Sequence, residues 1–312
     1  MAKFPSRAAD GFDGVMRFGT LLRGSTIEEI TANLAASQEN GFSSAWLTDG
    51  YGYEPLTALT VAGQNVGGIE LGTAVVRTLL RHPAALAQHA MTANAALHGR
   101  LVLGVGPSHG PPMRRAWGIE FERPIRAMRE YLEIVGQVVR DNGADFDGEM
   151  YRSHVQMFIE PRLALPVLVG ALGPQMVALA GAYADGVISY LVGPRTLTEM
   201  TCPVAARAAA AADRPAPRIV AMISVCVTDD IAEAERRYDR INGEQLKLPS
   251  YAAAAAREGA RALVVGSESE VEEAVAGLFA AGVTDLVALP VARRSSDEEA
   301  RTNEFLARLR RG

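Results

Sequence analysis

Short runs of apolar residues alternate along the whole chain with longer stretches in which apolar positions recur every three or four residues. The short runs are typical of buried parallel strands, and the longer stretches of helices that pack on a sheet. Eight short runs stand out, at residues 15–22, 44–48, 69–76, 100–106, 166–171, 186–192, 219–227 and 285–291. Eight strands separated by helices predict an α/β fold, a (β/α)8 TIM barrel.

The last helix-and-strand unit carries clear boundary signals. Ser267 followed by Glu270 predicts a capping box at the start of a helix. Apolar residues at helical spacing then continue over residues 268–281, and Gly282 follows before the eighth strand. This segment therefore predicts a complete helix that leads into a buried strand.

One segment interrupts the regular alternation. Residues 141–162 follow a long helical stretch at 124–140 and predict a loop with a small hairpin, inserted between the fourth and fifth strands. Such an insertion could cover the barrel mouth or lie on the outer surface, and both alternatives stay open. Because no linker divides the chain, we expect one domain over residues 1–312, with a loose N-terminus at 1–14.

The composition excludes several classes of function. The chain has 312 residues and a formal net charge of −5, without the basic clusters that nucleic-acid binding needs. Cys202 and Cys226 are too few for a disulfide framework, and no spacing predicts a metal site. The only lysines are Lys3 and Lys247, neither on a predicted strand, which argues against Schiff-base chemistry.

One uncharged stretch, residues 163–184, is long enough to be considered as a membrane span. Pro166, Gly170, Gly173 and Pro174 interrupt it, and its first part predicts a short strand instead. The N-terminus also lacks the apolar core of a signal peptide. We therefore expect a cytoplasmic protein without a membrane partner.

The carboxyl ends of the strands are where a barrel of this kind places its active site. The second strand is followed by Asp49, which could cap the next helix or accept a hydrogen bond from a ligand. Tyr51 and Tyr53 come directly afterwards and could form a pocket wall or cover the barrel rim. Both interpretations stay open for each of these residues.

The fourth strand leads into the glycine- and proline-rich segment GVGPSHGPP, residues 104–112. Glycines allow a ligand to approach the backbone, although this segment matches no nucleotide-binding motif. His109 lies within it and could exchange a proton near neutral pH. An inert loop histidine is the alternative.

The fifth strand leads directly into VGALGPQM, residues 169–176, with Gly173 and Pro174 before the next helix. The first amides of a helix have no partner within the helix, and its dipole favours a negative charge at that end. This turn therefore predicts an anion site suited to a phosphate group. A tight structural turn is the alternative.

Three stretches together resemble the bacterial luciferase-like superfamily, and within it the oxidoreductases that use the deazaflavin coenzyme F420. They are residues 71–106 (LGTAVVRTLLRHPAALAQHAMTANAALHGRLVLGVG), 166–188 (PVLVGALGPQMVALAGAYADGVI) and 265–288 (VGSESEVEEAVAGLFAAGVTDLVA). The resemblance implies a barrel in which the coenzyme ring lies in the mouth. It also implies a bulge in the third strand, with a cis peptide bond at Ala74–Val75 behind that ring.

The resemblance further implies which residues bind the coenzyme. The backbone after the fifth strand would hold its phosphate, and the strand-three bulge, the strand-four exit and the strand-two aspartate would border its ring. These cofactor-binding residues are Asp49, Thr73, Ala74, Val75, Gly106, Pro107, Ser108, Ala171, Leu172, Gly173, Pro174, Gln175 and Met176.

Two departures from the family pattern affect the chemistry. Some members carry a histidine directly after the strand-two aspartate, where this chain has Gly50. The sugar-phosphate dehydrogenases of the family carry a glutamate where this chain has His109. The usual acid–base pair is therefore missing, which counts against glucose-6-phosphate as the substrate and leaves His109 as the candidate catalytic proton donor.

Our hypothesis from the sequence is an oxidoreductase that transfers a hydride between F420 and a small organic substrate. The substrate would lie near Trp46, Tyr51 and Tyr53, and the protein could form a homodimer. An FMN-dependent monooxygenase and a flavin-binding barrel without catalysis remain as alternatives. A hydrolase or lyase without a redox cofactor is disfavoured by the missing metal cluster and the scarcity of lysine.

Overall fold

A computed structural model describes residues 16–292 and 296–310, so the predicted loose segment 1–14 lies outside the described residues. Twelve strands are formed within the described part. Their bounds are β1 Arg17–Leu21, β2 Ser44–Leu47, β3 Glu70–Thr73, β4 Val76–Arg77, β5 Leu101–Gly106, β6 Gly143–Asp147, β7 Arg152–Gln156, β8 Val167–Gly170, β9 Gly186–Tyr190, β10 Arg218–Val227, β11 Leu263–Gly266 and β12 Asp285–Pro290.

Eight of these strands close into a parallel barrel. The order runs β1, β2, β3, β5, β8, β9, β10, β12 and back to β1, and every neighbouring pair is parallel. The predicted fold class is therefore confirmed. The carboxyl ends of all eight strands lie at one end of the barrel, which we call the mouth.

Helices surround the barrel and connect its strands. Their bounds are α1 Ile27–Glu39, α2 Pro55–Gly63, α3 Pro83–Ala96, α4 Gly110–Trp117, α5 Pro124–Asp141, α6 Pro174–Tyr183, α7 Pro194–Thr196, α8 Cys202–Ala211, α9 Ile231–Leu246, α10 Pro249–Glu258, α11 Glu268–Ala280 and α12 Asp297–Leu309. The capping box predicted from Ser267 and Glu270 is present at the start of α11. None of the helices in the described ranges is both long and apolar enough to cross a membrane.

The structure has two features that the apolar pattern alone did not predict, although the family resemblance implied the first of them. The third strand is interrupted, because β3 ends at Thr73 and the chain resumes pairing with β5 only at Val76. The segment between β10 and β12 also contains the strand β11, which the apolar pattern did not single out. Its four residues pair with the last part of β10, beyond the residues of β10 that pair with β9.

The inserted hairpin is formed by β6 and β7, which pair in antiparallel register. Its turn is held by Glu130, a side chain of α5 that is 2% exposed. The Glu130 carboxylate accepts hydrogen bonds from the backbone N–H groups of Glu149, Met150 and Tyr151 at 3.2, 2.7 and 3.1 Å. Burial opposes the charge, but these three donors keep the pKa of Glu130 below its usual range. The hairpin is thus attached to the outside of the barrel through α5.

Replacing Glu130 with alanine should release the hairpin turn, because three N–H groups lose their acceptor at once. We expect hydrogen exchange at residues 149–151 to accelerate by about tenfold or more, while exchange in the barrel strands stays unchanged. Hydrogen-exchange mass spectrometry would check this. Glu133→Ala on the same helix is the matched control, and equal acceleration in both variants would contradict the assignment.

The barrel interior is filled by apolar side chains in a cluster of its own. These residues are Trp46, Val102, Leu168, Ile188, Val220, Met222, Val287 and Leu289. Below them, at the amino ends of the strands, Arg218 donates to Asp285 at 2.6 and 2.9 Å and to Glu70 at 2.5 Å. Asp285 is fully buried, so this ion-pair network closes the end of the barrel opposite the mouth.

Candidate functional site

The floor of the mouth is apolar. Leu21, Ala74, Val75 and Tyr190 lie at or just beyond strand ends and pack on top of the interior cluster, and each keeps part of its surface exposed. The peptide bond Ala74–Val75 is cis, as the family resemblance implied. A floor of this kind can support the face of a planar, largely apolar ring.

The backbone of the bulge is fixed to the neighbouring strand by Thr73. Its hydroxyl donates to the carbonyl of Gly104 at 2.8 Å and accepts from the N–H of Gly104 at 2.9 Å. Thr73 is fully buried, so the prediction that it contacts the cofactor is wrong for its side chain. Instead, Thr73 sets the position of Ala74 and Val75, which do face the mouth.

The glycine at the exit of the fourth barrel strand has a packing role. A Cβ atom on Gly106 would lie 2.5 Å from Cγ2 of Val75, so any larger residue would require the Val75 side chain to shift. Gly106 therefore makes room for Val75, and its contact with a cofactor stays a prediction. Pro107 and Ser108 continue to the rim, and Ser108 has a positive φ of 67°.

Asp49 binds within the protein and does not cap a helix. Its carboxylate accepts from the backbone N–H of Arg77 at 3.0 Å and from the Arg77 guanidinium at 2.9 Å. The α2 helix is capped by Glu54 instead. Asp49 thus holds the chain just after the bulge, and a direct role in cofactor binding is not needed to explain it.

The Arg77 guanidinium lies close to two aromatic rings at the rim. Its central carbon is 5.6 Å from the Tyr51 ring centroid and 5.5 Å from that of Trp117, a contact in the cation–π range. Tyr51 is 76% exposed, and Tyr53 and Trp117 are both 48% exposed. Tyr51 and Tyr53 are therefore accessible aromatic side chains, and their contact with a substrate stays a prediction.

The prediction that Trp46 lines the substrate pocket is wrong. Its indole is fully buried in the barrel interior, and the ring N–H donates to the Ser44 hydroxyl at 2.9 Å. The Arg218 guanidinium lies 5.7 Å from the Trp46 ring centroid, which places the ring toward the closed end. Trp46 is therefore a core residue below the mouth.

The turn between β8 and α6 has an open helix N-terminus. Gly173 is the N-cap residue of α6 and makes no side-chain cap, and a Cβ atom placed on it would meet nothing within 4 Å. The N–H groups of Gln175 and Met176 lie in the first turn, where a helix offers them no internal acceptor. These two amides and the helix dipole would form the predicted anion site, which stays a prediction.

Two of the residues predicted to bind the phosphate through their backbone cannot donate a hydrogen bond to it. The N–H of Ala171 donates to the Ile188 carbonyl at 3.0 Å and is used by the sheet. Pro174 has no N–H group at all. The donors that the turn can offer are therefore fewer than predicted, and come from Leu172, Gly173 and the first turn of α6.

A cation from a distant part of the chain lies beside this turn. Arg257 of α10 donates from its guanidinium to the carbonyl of Leu172 at 3.2 Å and is partly buried. The guanidinium carries a positive charge. The turn thus combines unpaired amides with a nearby positive charge, and both favour an anionic ligand.

One side of the mouth is an aromatic wall that contains His109. The His109 and Tyr251 ring centroids are 5.0 Å apart, and Tyr251 meets Tyr190 edge-on at 6.1 Å. The hydroxyl of Ser250 hydrogen-bonds Nδ1 of His109 at 2.8 Å. Burial lowers the pKa of His109, so the neutral ring is favoured at pH 7.

Sequence reasoning missed the contribution of α10 and of Tyr190. Tyr190 could have been found, because it stands two positions after Ile188 and so points into the same barrel interior. The α10 residues carry no such signal, since the alanine run around them predicts a helix and nothing more. The segment between β10 and β12 is unusually long, and this length was the sign in the sequence that it contains an additional element.

Comparison with known proteins places this geometry in context. A family model described as luciferase-like monooxygenase matches residues 14–285. A Mycobacterium tuberculosis protein, provisionally named a coenzyme F420-dependent oxidoreductase, is 32% identical over 219 residues. The match covers 64% of this chain and 63% of that relative, so about a third of the relative has no counterpart in the alignment.

Two solved structures share the fold. An F420-dependent secondary alcohol dehydrogenase in complex with an F420–acetone adduct has a TM-score of 0.77 at 16% identity, covering 95% of this chain and 98% of its own. A monooxygenase from Streptomyces bottropensis has a TM-score of 0.71 at 21% identity, covering 94% and 98%. At these identities the likeness establishes the fold and leaves the chemistry open.

Proposed function

Because this chain belongs to the luciferase-like monooxygenase family, we propose that it is an oxidoreductase that transfers a hydride between coenzyme F420 and a small organic substrate. The observation that carries the proposal is the uncapped N-terminus of α6 beside an apolar barrel floor. Together they match a ligand with one anionic group and one planar ring. The F420-dependent relative supports this cofactor.

The residues present fit such a cofactor. The amides of Gln175 and Met176, with the charge of Arg257 nearby, would bind its phosphate. Ala74 and Val75 would lie against one face of its ring, held in place by Thr73. When bound, reduced F420 would supply the hydride, which none of the amino-acid side chains can provide.

The protein's own groups would then supply position, exclusion of water and a proton. Tyr51 and Tyr53 would contact the substrate at the rim, and the apolar floor would keep water from the reacting face. His109 stands in the wall of the same mouth and is the proposed proton donor to the substrate. The substrate we infer is an apolar or conjugated molecule rather than a sugar phosphate.

A second candidate function keeps the site and changes the cofactor. FMN also combines a planar ring with a phosphate, and one structure with this fold is a monooxygenase. The geometry of the turn and floor suits both ring systems equally. The substrate-side residues do not discriminate between them either, so the two functions must be separated by experiment.

Titration of the purified protein with F420 and with FMN would separate them. We expect F420 to bind at least about tenfold more tightly, a difference of about 1.4 kcal/mol. Anaerobic mixing of the complex of reduced F420 with a panel of enones, imines and ketones should then oxidise the cofactor. Tight FMN binding without F420 binding would favour the monooxygenase, and F420 binding without turnover of any acceptor would favour a barrel without catalysis.

A further inference from the structure

Helix α10 makes two contacts with the ring of His109, from adjacent residues. Ser250 binds Nδ1 through its hydroxyl at 2.8 Å, and the Tyr251 ring packs against the imidazole at a centroid distance of 5.0 Å and an interplanar angle of 45°. The hydrogen bond fixes which way the ring is turned, and the packing fixes its plane. Both partners are about 140 residues away from His109 in the sequence.

The contact leaves the other ring nitrogen available. No hydrogen bond to Nε2 of His109 is formed by any residue in the described ranges 16–292 and 296–310. A serine hydroxyl can donate to an unprotonated Nδ1 and can accept from a protonated one. The Ser250 contact can therefore persist in both protonation states of the ring.

We propose that Ser250 is a positioning residue, which holds Nδ1 of His109 so that Nε2 exchanges the proton with the substrate. This inference rests on the proposed function, because the substrate of that function is the group that accepts the proton. The imidazolium form of His109 gives its Nε2 proton to the heteroatom of the substrate, whose carbon receives the hydride supplied by the cofactor, and the ring is left neutral. The ring then regains a proton from water, while its Nδ1 contact is kept throughout.

The contact itself can be tested without any cofactor. In protein labelled with ¹⁵N-histidine, the His109 signals should report a hydrogen-bonded Nδ1 and a pKa below the usual value, because burial disfavours the charged ring. Ser250→Ala should shift the His109 nitrogen signals toward those of a free imidazole, and Ser250→Thr, which keeps the hydroxyl, should restore them. Ser269→Ala, an exposed serine in the first turn of α11, is the control.

The functional consequence is tested by a double-mutant cycle. We expect Ser250→Ala to lower kcat about tenfold, with the affinity for F420 unchanged, and to have no further effect in a His109→Ala background. Unchanged ¹⁵N signals, or equal losses in both backgrounds, would overturn the inference. If the wild-type protein fails to bind F420, the proposed function fails instead, and the NMR comparison still decides whether Ser250 holds the ring.

Discussion

Replacing Gly173 with aspartate is expected to weaken F420 binding by about 100-fold or more. A carboxylate at the N-cap of α6 would accept hydrogen bonds from the amides that the phosphate needs, and would repel its charge at close range. Because a side chain at this position meets nothing within 4 Å, and the backbone φ of −114° suits any residue, the variant should fold. Fluorescence titration with F420 measures the loss.

Gly173→Asn is the matched control for this variant. Asparagine has the same shape and caps the helix equally well, but it carries no charge. The asparagine variant should lose less F420 affinity than the aspartate variant. Both variants should bind the phosphate-free deazaflavin chromophore as tightly as the wild-type protein does. If the two variants lost F420 affinity equally, charge at this turn would not matter and the anion site would be elsewhere.

The second large effect concerns stability at the closed end of the barrel. Arg218→Met should lower the free energy of unfolding by about 3–5 kcal/mol, because it leaves the fully buried Asp285 carboxylate without its main partner. Denaturant unfolding would measure this. Arg218→Met combined with Asp285→Asn should recover part of the loss, since the unpaired charge is then removed.

The pH dependence of this loss has a definite sign. Burial opposes the charge of Asp285, but Arg218 keeps the pKa of Asp285 below its usual range in the folded protein. The ion pair therefore stabilises the fold above the unfolded pKa of about 3.9, and its contribution is lost as the pH falls further. We expect the loss of unfolding free energy caused by Arg218→Met to be largest at neutral pH and to become smaller in acid.

A surface pair serves as the control for this experiment. Arg114 binds Glu120 at 2.6 Å, but both side chains are more than half exposed. The free energy of unfolding of Arg114→Met should equal that of the wild type within experimental error, because water and salt screen such pairs. An equally large loss in both variants would mean that burial of Asp285 is not the cause.

The barrel could be predicted from the sequence because parallel strands and their covering helices have different apolar periods. The spacing of apolar residues does not show how deep in the barrel an inward-pointing side chain lies. Trp46 follows a strand pattern that suits the rim, yet its ring is fully buried in the barrel interior. The strand-three bulge came from family resemblance, and the role of Thr73 in holding it needed the coordinates.

Part of the candidate site could likewise be predicted from the sequence, and part could not. The turn at residues 169–176 was found because glycine and proline between a strand and a helix have a physical meaning wherever they occur. The contact of Ser250 on α10 with His109 joins two segments that no local pattern connects. Nor could the sequence have placed Arg257 beside the turn, since its neighbours indicate only an alanine-rich helix. Contacts between segments far apart in the sequence therefore form the part of the site that local patterns do not predict.

A crystal structure of the protein grown with F420 tests the phosphate assignment most directly. The account predicts phosphate oxygens within about 2.7–3.2 Å of the amide nitrogens of Gln175 and Met176, with the ring against Ala74 and Val75. A structure in which the phosphate lies elsewhere, and side chains fill the turn after β8, would contradict it.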